Sequence, residues 1–495
     1  MASVSGVSQS LASRTRSAVA WMASGEIARQ VTQFLVGVAL ARLLTPADYG
    51  LATMAMFVVG FVAIFARTGM AEALVQRPVV SSEAWSSVYW LGLGFGCLVG
   101  LAVWLLAPLA AAFFRDDRVT PLLRALGWLT LLAAVGATQR AWLVKHLRFR
   151  LIAQIEWWGV LVGGVTGLAL AATGCGVWSL VGANVVGTAA PAVLFYVLCP
   201  WRPTRQLQSS AVRSALRFGV GLQGFGIVNY FNRRLDDALI GRYLGPVALG
   251  YYERAYLLML YPVQNVAGVV GSVMFPALAE IGGDLPRFRA AYLRAVSCIA
   301  SVAFPTMLGL LVTAPEAIDV IYGRQWAPVV PILQVLCLVG VLQSVGTTTG
   351  TIFMARARTG LMFIWGLIGA AVIYPSFFIG IQWGVMGVAV AYAIANVVLI
   401  VPELAISLRL IGLPVRDLVR SVRGVLLGSV LMAGLVALVR YILLATHFEP
   451  HMVLALSVAT GVLTYGAWLW VTDADAMREA RSVGAGVWQP GVGGG

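Results

Sequence analysis

Charge is what this sequence has least of. Only 11% of its 495 residues are Asp, Glu, Lys or Arg, lysine occurs once, at Lys145, and histidine three times. A soluble domain carries about 25% charged residues, so the outside of this chain could not be wetted. Five cysteines (Cys97, Cys175, Cys199, Cys298 and Cys337) stand singly in or beside apolar runs, with no CxxC pair. That argues against a disulfide framework, and with His146, His447 and His451 scattered it argues against a metal centre. The cysteines read as small packing residues. No Walker loop, Ser/His/Asp set or metal-ligand spacing occurs, so no cofactor is expected.

What is there is apolar. Hydrophobic residues make up 60% of the chain, and its mean hydropathy is +0.87. Runs of the roughly 20 residues that cross a bilayer follow one another almost to the C-terminus. Transmembrane strands would instead be about ten residues long and alternate in polarity. The expectation is an all-α polytopic membrane protein with helices near 17–43, 50–75, 84–112, 119–144, 151–173, 176–199, 215–243, 250–277, 289–313, 328–354, 359–381, 384–410, 421–444 and 451–471. The loops between them are too short for a soluble domain. The Ser-rich start, "MASVSGVSQSLASRTRSAVAW", leads into a long run that holds Glu26 and Arg29 and has no small-residue cleavage site. No removable signal peptide is expected.

Basic residues set the direction. With a cytoplasmic N-terminus, Arg77, Lys145, Arg148, Arg150, Arg202, Arg205 and most later arginines fall inside. Only Arg42, Arg115, Arg118, Arg242, Arg324 and Arg440 fall outside. Cytoplasmic loops carry the Lys/Arg excess, so both termini are expected in the cytoplasm of a bacterial inner membrane. The net charge of +14 then reflects insertion topology, and nucleic acid is not an expected partner.

One short connection is written twice. "ARLLTPADYGL" from Ala41 returns as "GRYLGPVALGY" from Gly241, with Arg42, Leu44, Pro46 and Gly50 matching Arg242, Leu244, Pro246 and Gly250 at an offset of 200. Farther on, Trp158-Gly159 matches Trp365-Gly366, and Gly176-Val177 matches Gly384-Val385, at offsets of 207 and 208. Six helices separate the copies, an even number, so the halves run in the same direction as parallel repeats. The domains expected are an N-lobe over 1–200, a cytoplasmic linker over 201–214 and a C-lobe over 215–412. Two further helices over 413–472 and a disordered cytoplasmic tail over 473–495 complete the chain.

Both halves place polar groups where lipid should be. A charge at the bilayer centre costs about 2.5–3.5 kcal/mol on insertion scales. The first helix carries Glu26, Arg29, Gln30, Gln33 and Gly37, and the seventh carries Asn229, Tyr230, Arg233 and Asp237 beside Arg234 and Asp236. Spacings of three and four put each set on one helical face. Two readings are open. The stripes could be internal ion pairs, such as Glu26 with Arg29 or Asp237 with Arg233. They could instead line a water-filled substrate path between the lobes. On the second reading the cavity residues are Glu26, Arg29, Gln30, Gln33, Arg67, Asn229, Arg233, Arg234, Asp237 and Gln264. Pro46, Gly50, Pro246 and Gly250 would then form an outer gate. Glu72, Gln154, Glu156, Asn265, Gln343 and Thr347 to Thr349 could join the lining, though each alone reads as a helix–helix hydrogen bond. Arg124, Arg140 and Arg254 read as snorkelling groups near helix ends.

A membrane glycosyltransferase or polymerase would need an acidic pair in a sizeable outer loop. "FFRDDRV" offers only Asp116 and Asp117 in a short turn between arginines, which reads as local salt bridging. An enzyme is not expected.

Three stretches carry a resemblance: "YFNRRLDDALIGRYLGPVALGYYERAYLLMLYPVQNV", "LVKHLRFRLIAQIE" and "YGRQWAPVVPILQVL". They resemble the polysaccharide-transport, or O-antigen flippase-like, family of the multidrug/oligosaccharidyl-lipid/polysaccharide superfamily, nearest its colanic acid exporter type. The resemblance spans roughly residues 10–470. It implies two six-helix lobes about a central cavity and a substrate that is an oligosaccharide on undecaprenyl pyrophosphate, moved between membrane leaflets. A coupling ion, Na+ or H+, and a monomer working beside polysaccharide polymerase machinery would accompany that role. A flippase for the peptidoglycan lipid precursor and a drug/cation antiporter are the neighbouring alternatives. A cationic drug would prefer carboxylates, and the arginines speak against it.

Overall fold

A chain with so little charge must satisfy its backbone internally, and in lipid only helices or closed barrels do so. The computed structural model describes residues 25–66, 71, 74–75, 80–205, 209–281, 284–356 and 358–472. The N-terminal leader, Arg67, Glu72 and the 473–495 tail lie outside the described residues. No strand occurs among those that are described. The protein is an all-α polytopic membrane protein.

The helices of the first half are α1 (25–43), α2 (Pro46–Ala66), α3 (Ser82–Phe114), α4 (Val119–Leu126), α5 (Leu129–Lys145), α6 (Phe149–Ala172) and α7 (Trp178–Leu198). A long α8 (Ser209–Glu280) follows, then α9 (Leu285–Ile321), α10 (Val329–Gly346), α11 (Thr349–Ala355), α12 (Thr359–Gly380), α13 (Gly384–Arg409), α14 (Val415–Ala445) and α15 (Pro450–Thr472). Ten stretches of the described chain are long and apolar enough to cross a membrane. One of them, Gly360–Arg409, holds the two expected helices of 359–381 and 384–410. The helix α1 is not among the ten, because Glu26, Arg29 and Arg42 interrupt its apolar run.

Two expected single helices are each built from two pieces. The span 119–144 divides at Gly127–Trp128, where Gly127 packs against the backbone of Gly100 in α3. The span 328–354 divides at Thr347–Thr348. Between α3 and α4 the Asp116–Arg118 pair forms as expected, at 2.7 Å, and the Arg118 guanidinium holds the Asp116 carboxyl below its usual range. Such an exposed pair contributes little to stability.

By packing, the chain falls into two compact units, Met1–Glu253 and Arg254–Gly495. The first includes the N-terminal arm of α8, whose side chains pack on α2 and α3. The repeat is visible in the backbone as well. Gly176, just before α7, and Gly384, which opens α13, both have positive φ, at 55° and 71°. The left-handed region is open to glycine at no steric cost.

In the second unit, α14 and α15 are tied to α9. Glu316, only 6% exposed, accepts from Arg440 of α14 at 2.9 Å. Arg440→Met should leave that carboxylate buried without its partner, a loss of about 3–5 kcal/mol. A lower Tm in detergent is the expected readout; an unchanged Tm would show that the pair is dispensable.

Candidate functional site

Small residues on one face of α1 let it approach α6. Gly25 meets Ala153, the Trp157 indole donates to the Thr32 hydroxyl at 3.1 Å, and Val36 packs on Gly164. The polar stripe uses a different face. There Glu26 accepts from both Arg29 nitrogens, at 2.9 and 2.5 Å, and from Gln30 at 2.8 Å. Arg29 also reaches Gln33 at 3.4 Å. Gln33 is exposed, and space is open beside Gly37. The ion-pair reading of this stripe is thus realised locally, and Arg29 is a guanidinium already held by a carboxylate.

The N-terminal arm of α8 is arranged differently. The i,i+4 pair of Arg233 with Asp237 does not form. Arg234, three residues before Asp237, donates to it at 2.9 Å. Both spacings bring side chains to one face, and the shorter one wins here. Arg233 is exposed and has no hydrogen-bond or ion-pair partner among the described residues. Asp236 and Asp237 are each 6% exposed. The Tyr230 hydroxyl donates to the Phe57 carbonyl of α2 at 2.5 Å, and its ring joins Phe57, Phe61 and Phe231 in one aromatic cluster. The backbone at Asn229 is helical; its side chain lies outside the described residues.

The twice-written connection forms a reciprocal contact. A methyl group built on Gly50 would overlap the carbonyl of Pro246, and one on Gly250 would overlap the carbonyl of Pro46. Each copy thus lays its proline carbonyl on the glycine of the other. The turns themselves fall slightly off the expected positions. Pro46 is the first residue of α2, where a missing N–H costs nothing, and Thr45 with Asp48 caps that end at 2.7 Å. In the second copy the break is at Gly245, with φ 82° and ψ −179°, a conformation reserved for glycine. Leu244-Gly245-Pro246 carries a Gly-Pro turn signal that sequence reading could have used. Arg242 donates to the Phe113 carbonyl and lies 4.8 Å over that ring.

Other candidates are dispersed. Glu156 pairs with Arg140 at 2.7 Å, and Gln154 and Gln264 are exposed. Arg124 lies 4.8 Å over the Trp104 ring. In the second unit Gln343 donates to Tyr392 at 2.7 Å, Thr348 pairs with Tyr292 at 2.9 Å, and Thr349 donates to Glu403 at 2.6 Å. These are helix–helix hydrogen bonds. Among the described residues no cluster of His, Cys, Asp and Glu could hold a metal ion.

Over residues 39–331 the chain matches the family described as "Polysaccharide biosynthesis protein", a stretch that takes in both corner copies and the α8 stripe. The chain belongs to this family. As a member it is 28% identical to the lipopolysaccharide biosynthesis protein WzxC of Escherichia coli (strain K12), over 79% of this chain and 80% of that one. It is 29% identical to the teichuronic acid biosynthesis protein TuaB of Bacillus subtilis (strain 168), over 82% and 84%. It is 26% identical to the succinoglycan biosynthesis transport protein ExoT of Rhizobium meliloti (strain 1021), over 93% and 94%. Its fold resembles that of the lipid II flippase MurJ in an inward closed conformation, with a TM-score of 0.75, 16% identity and coverage of 92% and 99%. An inward-facing multidrug resistance MATE family transporter follows at a TM-score of 0.64 and 14% identity, over 78% and 98%. At these identities the structural likeness is one of fold.

Proposed function

We propose that this protein is an inner-membrane flippase that moves oligosaccharide units linked to undecaprenyl pyrophosphate from the cytoplasmic to the periplasmic leaflet, for cell-surface polysaccharide synthesis. The observation that carries this reading is Arg233, an exposed guanidinium on a membrane helix with no partner among the described residues. A guanidinium pairs with phosphate oxygens in a planar, two-pronged geometry. An unpaired one in a membrane helix is costly unless an anion visits it. Arg29, Gln30 and Gln33 on α1 supply further donors. Gln33 and neighbouring amides can exchange hydrogen bonds with sugar hydroxyls as water would. Relatives named for lipopolysaccharide, teichuronic acid and succinoglycan biosynthesis support the cargo class. In this reading the lobes of 1–200 and 215–412 rock about a central path. The Pro46–Gly50 and Pro246–Gly250 corners form its periplasmic gate, a monomer works beside the polymerase machinery, and an ion gradient drives the cycle.

The test is accumulation of lipid-linked oligosaccharide in the inner leaflet when the gene is deleted and its restoration by the intact chain; undisturbed export in the deletion would sink the reading. Orientation has its own check. Ser209→Cys should resist, and Asp48→Cys accept, an impermeant thiol reagent on intact cells, because both termini and the 200–214 loop face the cytoplasm. The reverse labelling pattern would invert the topology.

A further inference from the structure

The α8 arm that carries Arg233 also buries charge that the flippase reading does not use. Asp236 accepts from the Tyr252 hydroxyl through Oδ2 at 2.9 Å and from the Asp237 backbone N–H through Oδ1 at 3.0 Å. Tyr252 is fully buried. Residues 236 and 252 stand on opposite sides of the Gly245 break, so this one hydrogen bond ties the two arms of α8 across the corner.

Charge does not balance here. Among the described residues, two adjacent buried carboxylates face one guanidinium, that of Arg234, which is committed to Asp237. The next nearest charges do not help. Glu253 is followed directly by Arg254, so that stretch adds no net positive charge, Arg242 is spent on Phe113, and Arg233 is exposed. The Tyr230 hydroxyl is spent on the Phe57 carbonyl. Among the described residues, α2 and the end of α3 bring no cation to the pair either. Met54 and Phe57 approach from α2, whose single charged residue is Asp48, and Phe114 approaches from the end of α3, where the next charge is Arg115. Two like charges this close and this buried do not both ionise. One carboxyl is left to hold a proton.

We propose that Asp236 binds and releases a proton, and that its charge sets the tie between the two arms of α8 across the Gly245 corner. When Oδ2 is ionised, the Tyr252 O–H donates to an anion, and a charge-assisted bond is about twice as strong as a neutral one. When a proton joins Oδ2 the bond becomes neutral, the tie weakens, and Pro246 and Gly250 are freed to leave Gly50 and Pro46. The particle proposed is a proton rather than a metal ion, because among the described residues no group of three or more His, Cys, Asp or Glu side chains gathers here to hold one. This rests on the transport reading for its purpose, making the coupling ion a proton, but not for its test.

Two measurements on the full chain in lipid nanodiscs, neither using cargo, decide it. In infrared difference spectra between about pH 8 and about pH 5, a protonated-carboxyl carbonyl band should grow in. It should vanish in Asp236→Asn and shift in frequency in Tyr252→Phe, where only the hydrogen bond is lost. Spin labels at Ala47→Cys and Val247→Cys report the corner contact by electron–electron distance. The short-distance population should fall about fivefold on acidification, the ratio separating a charge-assisted from a neutral bond. In the Asp236→Asn background it should not respond to pH. A band that survives Asp236→Asn, or a corner distance indifferent to pH, overturns the proposal. A site silent to pH but responsive to sodium chloride overturns it in favour of sodium. Failure of the cargo assay with these responses intact would remove the flippase reading alone.

Discussion

Gly50→Ala should abolish export while leaving the protein in the membrane at normal amount. The added methyl would occupy the place of the Pro246 carbonyl, and backbone facing backbone has no side chain to swing aside. Overpacking of this kind costs about 1–3 kcal/mol, so the closed corner would be depleted about five- to 150-fold. Gly250→Ala should do the same through Pro46, because the contact is reciprocal. Gly37→Ala is the control. It lies on the striped face of α1 with open space around it, and its export should be unchanged. Normal export by both Gly50→Ala and Gly250→Ala would remove the gate. A complementary experiment joins Ala47→Cys to Val247→Cys with a short reversible cross-linker. Export should stop on trapping and resume on reduction, and a fully cross-linked protein that still exports would refute the gate from the other side.

The class of this protein was legible in its composition, since a chain with 11% charge has no way to be wetted. The corner copies were legible as an echo, but not as partners. An offset of 200 residues says that two segments share an ancestor, whereas mutual burial of Gly50 and Gly250 is a fact of three-dimensional symmetry. The same limit applies to the stripes. Arg233 and Arg234 lie four and three residues from Asp237, and both spacings suit an ion pair. Side-chain rotamers and neighbours choose between them, and a linear pattern contains neither. The Asp236–Tyr252 bond was hidden for a related reason. Sixteen residues apart on one continuous helix, the two would be far from each other; only the break at Gly245 turns the arms so that they meet. In the second unit, Gln343 and Thr347 to Thr349 were legible as polar groups in an apolar run. The bonds of Gln343, Thr348 and Thr349 to Tyr392, Tyr292 and Glu403 on other helices follow from packing, while Thr347 donates to the Ser344 carbonyl of its own helix.

Arg233→Ala should lower export more than Arg29→Ala, although the two arginines occupy similar stripes. Arg29 is held by Glu26 through two hydrogen bonds, so an incoming phosphate must compete with a carboxylate that is already in place. Arg233 has no such competitor among the described residues, and binding there costs no broken ion pair. A hydrogen bond to a charged group is worth about 1.5–3 kcal/mol, so loss of the guanidinium should cut the transport rate about ten- to 150-fold. Arg233→Lys should recover only part of this, since lysine keeps the charge but offers a point donor in place of a planar fork. Glu26→Gln provides the converse. It releases Arg29 from its carboxylate, and in that background Arg29→Ala should become nearly as harmful as Arg233→Ala. Rates of lipid-linked oligosaccharide appearing in the outer leaflet, normalised to protein in the membrane, measure all of these. Equal losses for Arg29→Ala and Arg233→Ala in the wild-type background would show that the Glu26 pair does not screen its arginine. Losses that merely follow the amount of folded protein would assign both arginines to the architecture and not to the cargo.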